Sequence, residues 1–319
     1  INELFSVTGK VAIVTGGSRG IGSMIAEGYV ANGVKTYITA RKADACEATA
    51  KELSAQGECI AIPADLSTKE GRDTFVNEIK KREQKIDILV NNAGAAWGAP
   101  FEEYPDEGYD KVMDINVKAI FTLTRDLMPL LCKDSSPEEP SRVINIGSID
   151  GLRVSSMDNF AYGASKAAVH FLTKNLAVRL APKGLTVNAI APGPFESQMM
   201  DHTLSKFRDK IEKENPLGRI GHPTDMAGLA LFLASNASKY MTGQIIAMTQ
   251  NRKWGTSGTG KTTYNYNAPQ SMGGTIGMQA GSTFKIFTLA AALEAGISPN
   301  EYISSPSPNT FTDFKNCDT

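Results

Sequence analysis

The chain has 319 residues, of which 41% are hydrophobic and 21% charged, with a formal net charge of −1. That length holds one large domain or two ordinary ones, and the composition is that of a globular protein. The near-neutral charge excludes the broad basic footprint of a general nucleic-acid or anionic-membrane binder, and no apolar run approaches the ~20 residues of a membrane span. The opening residues INELFSVTGK lack the basic-then-apolar order of a signal peptide. Cys46, Cys59, Cys132 and Cys317 are scattered without a CxxC pair, which reads as reduced thiols and a cytoplasmic location. His170, His202 and His222 are far apart, so no metal site is expected.

In chain order, short β-branched runs alternate with helix-length stretches from residue 10 to about 247. The runs are VAIVT (11–15), VKTYITA (34–40), CIAIPA (59–64), IDILVNNA (86–93), RVINIGS (142–148), LTVNAIAP (185–192) and GQIIAM (243–248). They are continuously apolar, as strands are when a sheet is covered on both faces, and the stretches between them suit parallel crossovers. Ile21, Met24, Ile25, Tyr29 and Val30 are spaced for one helix face, and 225–234 is a further apolar helical stretch. The fold class is α/β: a doubly wound, mainly parallel seven-stranded Rossmann-type sheet with helices on both faces. After residue 248 the text turns rich in Gly, Thr, Asn and Ser. A helix is expected only at 282–296, and the rest reads as a foreign, poorly packed tail. The expected division is 1–247 and 248–319.

TGGSRGIG (15–22) follows the first strand and opens a helix. Gly16, Gly20 and Gly22 allow a tight turn and close backbone approach, and the helix N-terminus offers N–H groups to a pyrophosphate. An NAD site places Asp or Glu at the end of the second strand. This strand ends TARK, and Arg41 there, with Arg19 in the loop, suits a 2′-phosphate. The cofactor expected is therefore NADP(H). Tyr162 and Lys166 are four apart and share a helix face. A nearby ammonium favours phenolate, so Lys166 is expected to lower the Tyr162 pKa and fit it for proton transfer at a carbonyl. Ser148, at the end of the fifth strand, is placed to hydrogen-bond the same carbonyl oxygen.

TGGSRGIG, Asp65 in ADLS, NNAG (91–94), Asn116 in DINV, Ser148 in INIGS, YGASK (162–166) and APGP (191–194) occur together and in this order. In these motifs residues 5–247 resemble the short-chain dehydrogenase/reductase family. The resemblance implies a catalytic set of Asn116, Ser148, Tyr162 and Lys166. Asn116 would hold a water leading from Lys166 to solvent, and Lys166 would bind the nicotinamide ribose. It implies a cofactor groove of Gly16, Ser18, Arg19, Gly20, Ile21, Gly22, Arg41, Asp65, Leu66, Asn92, Gly94, Tyr162, Lys166, Pro192 and Gly193. Asp65 would contact adenine, and Pro192 with Gly193 would cup the nicotinamide. It also implies a homo-oligomer, a tetramer unless the tail blocks assembly.

Substrate choice falls to the loop 150–160 and the lid 195–211. Phe195, Met199, Met200 and Leu204 suit either an acyl chain or ordinary lid packing. Lys206, Arg208, Lys210 and Lys213 alternate with Asp209, Glu212 and Glu214, which reads as a solvated face. NNAGAAWGAP (91–100), KDSSPEEPSRVINIGS (133–148) and NPLGRIGHPTDMAGLA (215–230) resemble the 3-oxoacyl reductases of the rhamnolipid-biosynthesis type. This implies NADPH-dependent reduction of a 3-oxoacyl to a 3-hydroxyacyl thioester.

Past the last strand, MTQNRKWGTSGTGKTTYNYN stands where that family reads roughly VDGG. With GSTFKIFTLAAALEAGI (281–297), it resembles part of a penicillin-binding protein transpeptidase domain. The two families share the string Thr242–Ala247, so two coding pieces are read as joined there. GTSGTGKT (255–262) matches a phosphate-loop pattern, but the next residues, TYNYNAPQSMGG, do not suit the helix such a loop needs. Ser282 and Lys285 form an SxxK motif, yet the later segments of a transpeptidase site are missing after it, so no transpeptidation is expected. The alternatives to a reductase are a non-catalytic hybrid chain and a β-lactam-binding fragment using Ser282.

Overall fold

The computed structural model describes residues 2–155, 157–215 and 217–248, together with 253–254 and 261–262. The chain divides into two units, Ile1–Asn267 and Ala268–Thr319. The last strand of the seven-stranded sheet ends at Ala247. The helix expected at 282–296 and the Ser282–Lys285 motif lie outside the described residues.

A short helix α1 (Asn2–Phe5) precedes alternating strands and helices: β1 (Val11–Thr15), α2 (Gly20–Ala31), β2 (Lys35–Thr39), α3 (Ala43–Leu53), β3 (Cys59–Ala61), α4 (Lys69–Arg82) and β4 (Ile88–Asn91). Then come α5 (Asp106–Met113), one π-helical turn (Asp114–Lys118), α6 (Ala119–Leu131), β5 (Ser141–Ile146), α7 (Phe160–Leu180), β6 (Leu185–Ala191), α8 (Asp201–Glu214), α9 (Pro223–Ala234) and β7 (Ile245–Ala247). The sheet runs β3-β2-β1-β4-β5-β6-β7, and every neighbouring pair is parallel. The order reverses between β1 and β4, and the crevice beyond the carboxyl ends of strands at such a point is where α/β sheets bind ligands.

Alternation along β1 builds the two faces. Val14 joins Met24, Ile25, Tyr29, Met226 and Leu233 in the core under α2 and α9. Ile13 joins Phe75, Ile79, Leu123 and Leu127 under α4 and α6. Every residue of β5 and β6 is buried, which explains the unbroken apolar runs. Helix α4 starts at Thr68, whose side chain accepts from Gly71 N at 3.0 Å, and ends in Lys80, Lys81 and Arg82, which favour the helix dipole. Among the described residues no helix is long and apolar enough to cross a membrane.

Beyond β7, Lys253–Trp254 and Lys261–Thr262 form a two-stranded parallel pair, β8 and β9. Lys261 and Thr262 thus lie in a strand, where a phosphate loop would open its helix.

Candidate active site

The residues expected at the site lie past the carboxyl ends of six strands, in the first turn of α2 or on the first two turns of α7; Asn116 alone comes from the π-helical turn. The glycine loop sits at the switch point. Gly16 adopts φ +65°, the left-handed region, and a Cβ there would lie 2.9 Å from Asn92 Nδ2. A Cβ on Gly22 would lie 2.2 Å from Gly16 O, so α2 meets its own loop with no room for a side chain. Asn92 fastens β4 to this loop: Nδ2 donates to Thr15 O (2.9 Å) and Gly16 O (3.1 Å), and its N–H reaches Thr15 Oγ1. Ser18 O accepts from Thr49 Oγ1, and half-buried Ile21 packs on the core. No side chain caps the first turn of α2, leaving its N–H groups for an anion.

Across the groove, Arg41 is exposed after β2. Asp65 Oδ1 accepts from Ser67 N and Oγ, whereas the Leu66 side chain is in the core. The Arg19 guanidinium donates to Gln198 Oε1 of the lid. A Cβ on Gly20 would lie 3.2 Å from Ser197 Cβ, so the lid covers the loop. Pro192 O accepts from Ile149 N (3.2 Å), joining the β5 and β6 ends beside Gly193.

Tyr162, Lys166 and Ser148 come together. Lys166 Nζ lies 5.5 Å from the Tyr162 ring centroid and donates to Ile146 O at 2.7 Å. Ser148 Oγ accepts from Asp150 N at 3.1 Å. Burial pushes Tyr162 up to about 12; the Ser148 hydrogen bond pulls it back and Asp150 pushes it further up. The lowering expected from Lys166 is not what the site shows. Burial is the largest cause of the Tyr162 shift, and burial also pushes Lys166 down to about 8. Asn116 is fully buried: Oδ1 accepts from Ala95 N (2.8 Å), and Nδ2 donates to Ala95 O (2.9 Å) and Ser165 Oγ (2.9 Å). Ser165 Oγ in turn donates to Tyr162 O at 2.7 Å, so the π turn grips the first turn of α7. Gly94 lies against the same amide.

On the substrate side, Phe195 and Leu204 are buried, and Phe195 fills the space where a Gly221 side chain would stand. Both serve lid packing. Met199 is half exposed and Met200 partly so. Arg208 pairs with Glu196 and Glu212, as a solvated face does. Sequence reasoning missed an aromatic cluster. Phe160, two residues before Tyr162, meets Phe101 (5.5 Å) and Tyr104 (5.8 Å) edge-on, and Phe101 is 73% exposed. Its members come from distant segments, and no spacing rule joins them. It also missed His170, whose signal was its place four residues after Lys166.

The family model described as Enoyl-(Acyl carrier protein) reductase matches residues 16–250. The chain belongs to the short-chain dehydrogenase/reductase family. It is 47% identical over 249 residues to the rhamnolipids biosynthesis 3-oxoacyl-[acyl-carrier-protein] reductase of Pseudomonas aeruginosa, covering 77% of this chain and 97% of that protein. The Pseudomonas aeruginosa RhlG/NADP active-site complex superposes with a TM-score of 0.75 at 46% identity, covering 77% of this chain and 97% of that one. A gluconate 5-dehydrogenase from Burkholderia cenocepacia in complex with NADP and tartrate gives a TM-score of 0.71 at 28% identity, over 77% and 95%. A second family model, the penicillin binding protein transpeptidase domain, matches residues 238–317. The two matches overlap on 238–250, which contains the shared string Thr242–Ala247.

Proposed function

We propose that the protein is an NADPH-dependent carbonyl reductase that converts a 3-oxoacyl thioester to a 3-hydroxyacyl thioester. One observation carries the reading: Ser148, Tyr162 and Lys166 converge at the strand ends beside a glycine cradle that admits no side chain. The cradle and the uncapped first turn of α2 fit a dinucleotide pyrophosphate. Arg41 offers its guanidinium to the 2′-phosphate. Asp65 is assigned to adenine, and Pro192 and Gly193 to the nicotinamide.

Bound there, NADPH supplies the hydride. Tyr162, protonated at neutral pH, gives its proton to the carbonyl oxygen, because a forming alkoxide is far more basic than a phenolate. Ser148 donates to the same oxygen and holds it in place. Lys166, mostly charged at neutral pH, stabilises the phenolate left behind and binds the ribose. Asn116 keeps one lone pair on Oδ1 for the water that returns a proton from solvent.

We assign the exposed aromatic cluster of Phe101, Tyr104 and Phe160 at the start of α7 to the substrate side, where it would favour an apolar acyl chain over a sugar. Self-association belongs to the same proposal. Phe171 and Val178 stand exposed on α7, a face suited to a second copy of the chain, and size-exclusion chromatography tests it. The buried free thiols of Cys46 and Cys59 suit a reducing compartment, and we assign the protein to the cytoplasm. The substrate test is NADPH oxidation with 3-oxoacyl thioesters of increasing length beside 5-ketogluconate. The expected result is kcat/KM rising with chain length. Preference for the sugar acid would overturn the acyl assignment.

A further inference from the structure

Tyr162, Lys166 and His170 are successive members of one i, i+4 row on α7. His170 is only 4% exposed and lies against the end of β5. Its Nε2 accepts the backbone N–H of Ser148 at 3.4 Å. The approach is close: a Cβ built on Gly147 would lie 2.1 Å from Nε2. Nε2 can accept only in the neutral ring that carries its proton on Nδ1. Nδ1 has no hydrogen-bond partner of normal geometry among the described residues. The Gly151 backbone favours the charged ring, but burial, Lys166 and Lys174 outweigh it and push His170 down to about 4. Geometry and charge therefore agree on a neutral imidazole.

Ser148 is held at two atoms. Its hydroxyl accepts from Asp150 N, and its own N–H is taken by His170. We propose that His170 is a positioning residue: its imidazole holds the Ser148 main chain where the Ser148 hydroxyl meets the substrate carbonyl oxygen. Without an acceptor the buried Ser148 N–H is left unpaired, and the strand end shifts to find one. A displacement of about 1 Å in a positioned group costs on the order of 10²-fold in rate. The catalytic consequence rests on the reductase reading; the hydrogen bond does not.

The test compares two substitutions. His170→Gln carries a carbonyl oxygen near the place of Nε2, whereas His170→Leu fills the pocket without an acceptor. With NADPH and a 3-oxoacyl thioester, His170→Leu is expected to lower kcat roughly 10–100-fold while KM for NADPH stays within about 3-fold. His170→Gln is expected to recover most of that loss. A packing-only role gives the reverse order, with Leu near wild type and Gln impaired, and that order would overturn the proposal. Nitrogen-15 spectra of the imidazole in the wild-type full chain supply a readout free of turnover. Nδ1 protonated and Nε2 bare is expected; a protonated Nε2 at pH 7 overturns the proposal even where His170→Leu does not fold. That tautomer in a chain without turnover would count against the reductase reading alone.

Discussion

The two ends of the sheet each hold a lysine that burial pushes down to about 8: Lys10 at the amino end and Lys166 at the carboxyl end. Each donates to one carbonyl oxygen at 2.7 Å, Lys10 to Ala234 O and Lys166 to Ile146 O. Their surroundings differ. Lys10 lies in a mixed field with Arg142, Asp87 and Glu139. Arg142 donates to Ser235 O, so these two cations close the carboxyl end of α9. Lys166 faces a titratable phenol beside the glycine cradle. A perturbed pKa alone therefore does not mark the active site in this protein. Position at the carboxyl ends of the strands does.

The comparison breaks most sharply under paired substitutions. Lys166→Met is expected to cut turnover by about 10²-fold or more, the scale of a lost acid–base component. Lys10→Met is expected to leave turnover per folded molecule unchanged and to lower stability by about 1 kcal/mol, one hydrogen bond's worth, read by urea titration. Equal loss of turnover in both variants would erase the distinction. Next in size is Gly22→Ala. Its Cβ would meet Gly16 O at 2.2 Å, and overpacking of about 1–3 kcal/mol placed on the loop weakens NADPH binding roughly 5- to 150-fold by fluorescence titration. The last effect is a slope in pH. His170 has a folded pKa of about 4 against 6.5 unfolded, so the unfolded chain binds more protons between these values. The stability present above pH 6.5 is lost as pH falls toward 4, and His170→Gln flattens that limb in a series of urea midpoints against pH.

The strands were legible because full burial on both faces leaves unbroken apolar runs, and all seven begin within two residues of the expected place. The glycine loop, Ser148, Tyr162 and Lys166 could be picked out because each carries a local motif. Depth was not. Spacing placed Lys166 near Tyr162 but did not say how much water the pair would lose, and that loss reverses the direction of the Tyr162 shift. Contacts between distant segments were not legible either: Arg19 with Gln198, Phe160 with Phe101 and Tyr104, and Ser148 with His170. The join at the end of β7 was legible as a change of composition after Met248, and the overlap of two family matches on 238–250 falls there.

The central claim is that Tyr162 protonates a carbonyl at an NADPH site. The most direct measurement is NADPH oxidation at 340 nm with a 3-oxoacyl thioester, for the wild-type chain and for Tyr162→Phe, alongside NADPH binding to both. Turnover by the wild type, a loss of about 10²–10⁴-fold in Tyr162→Phe and equal NADPH affinity is the result expected. Undiminished turnover in Tyr162→Phe, or a folded wild-type chain that binds no NADPH, would contradict it.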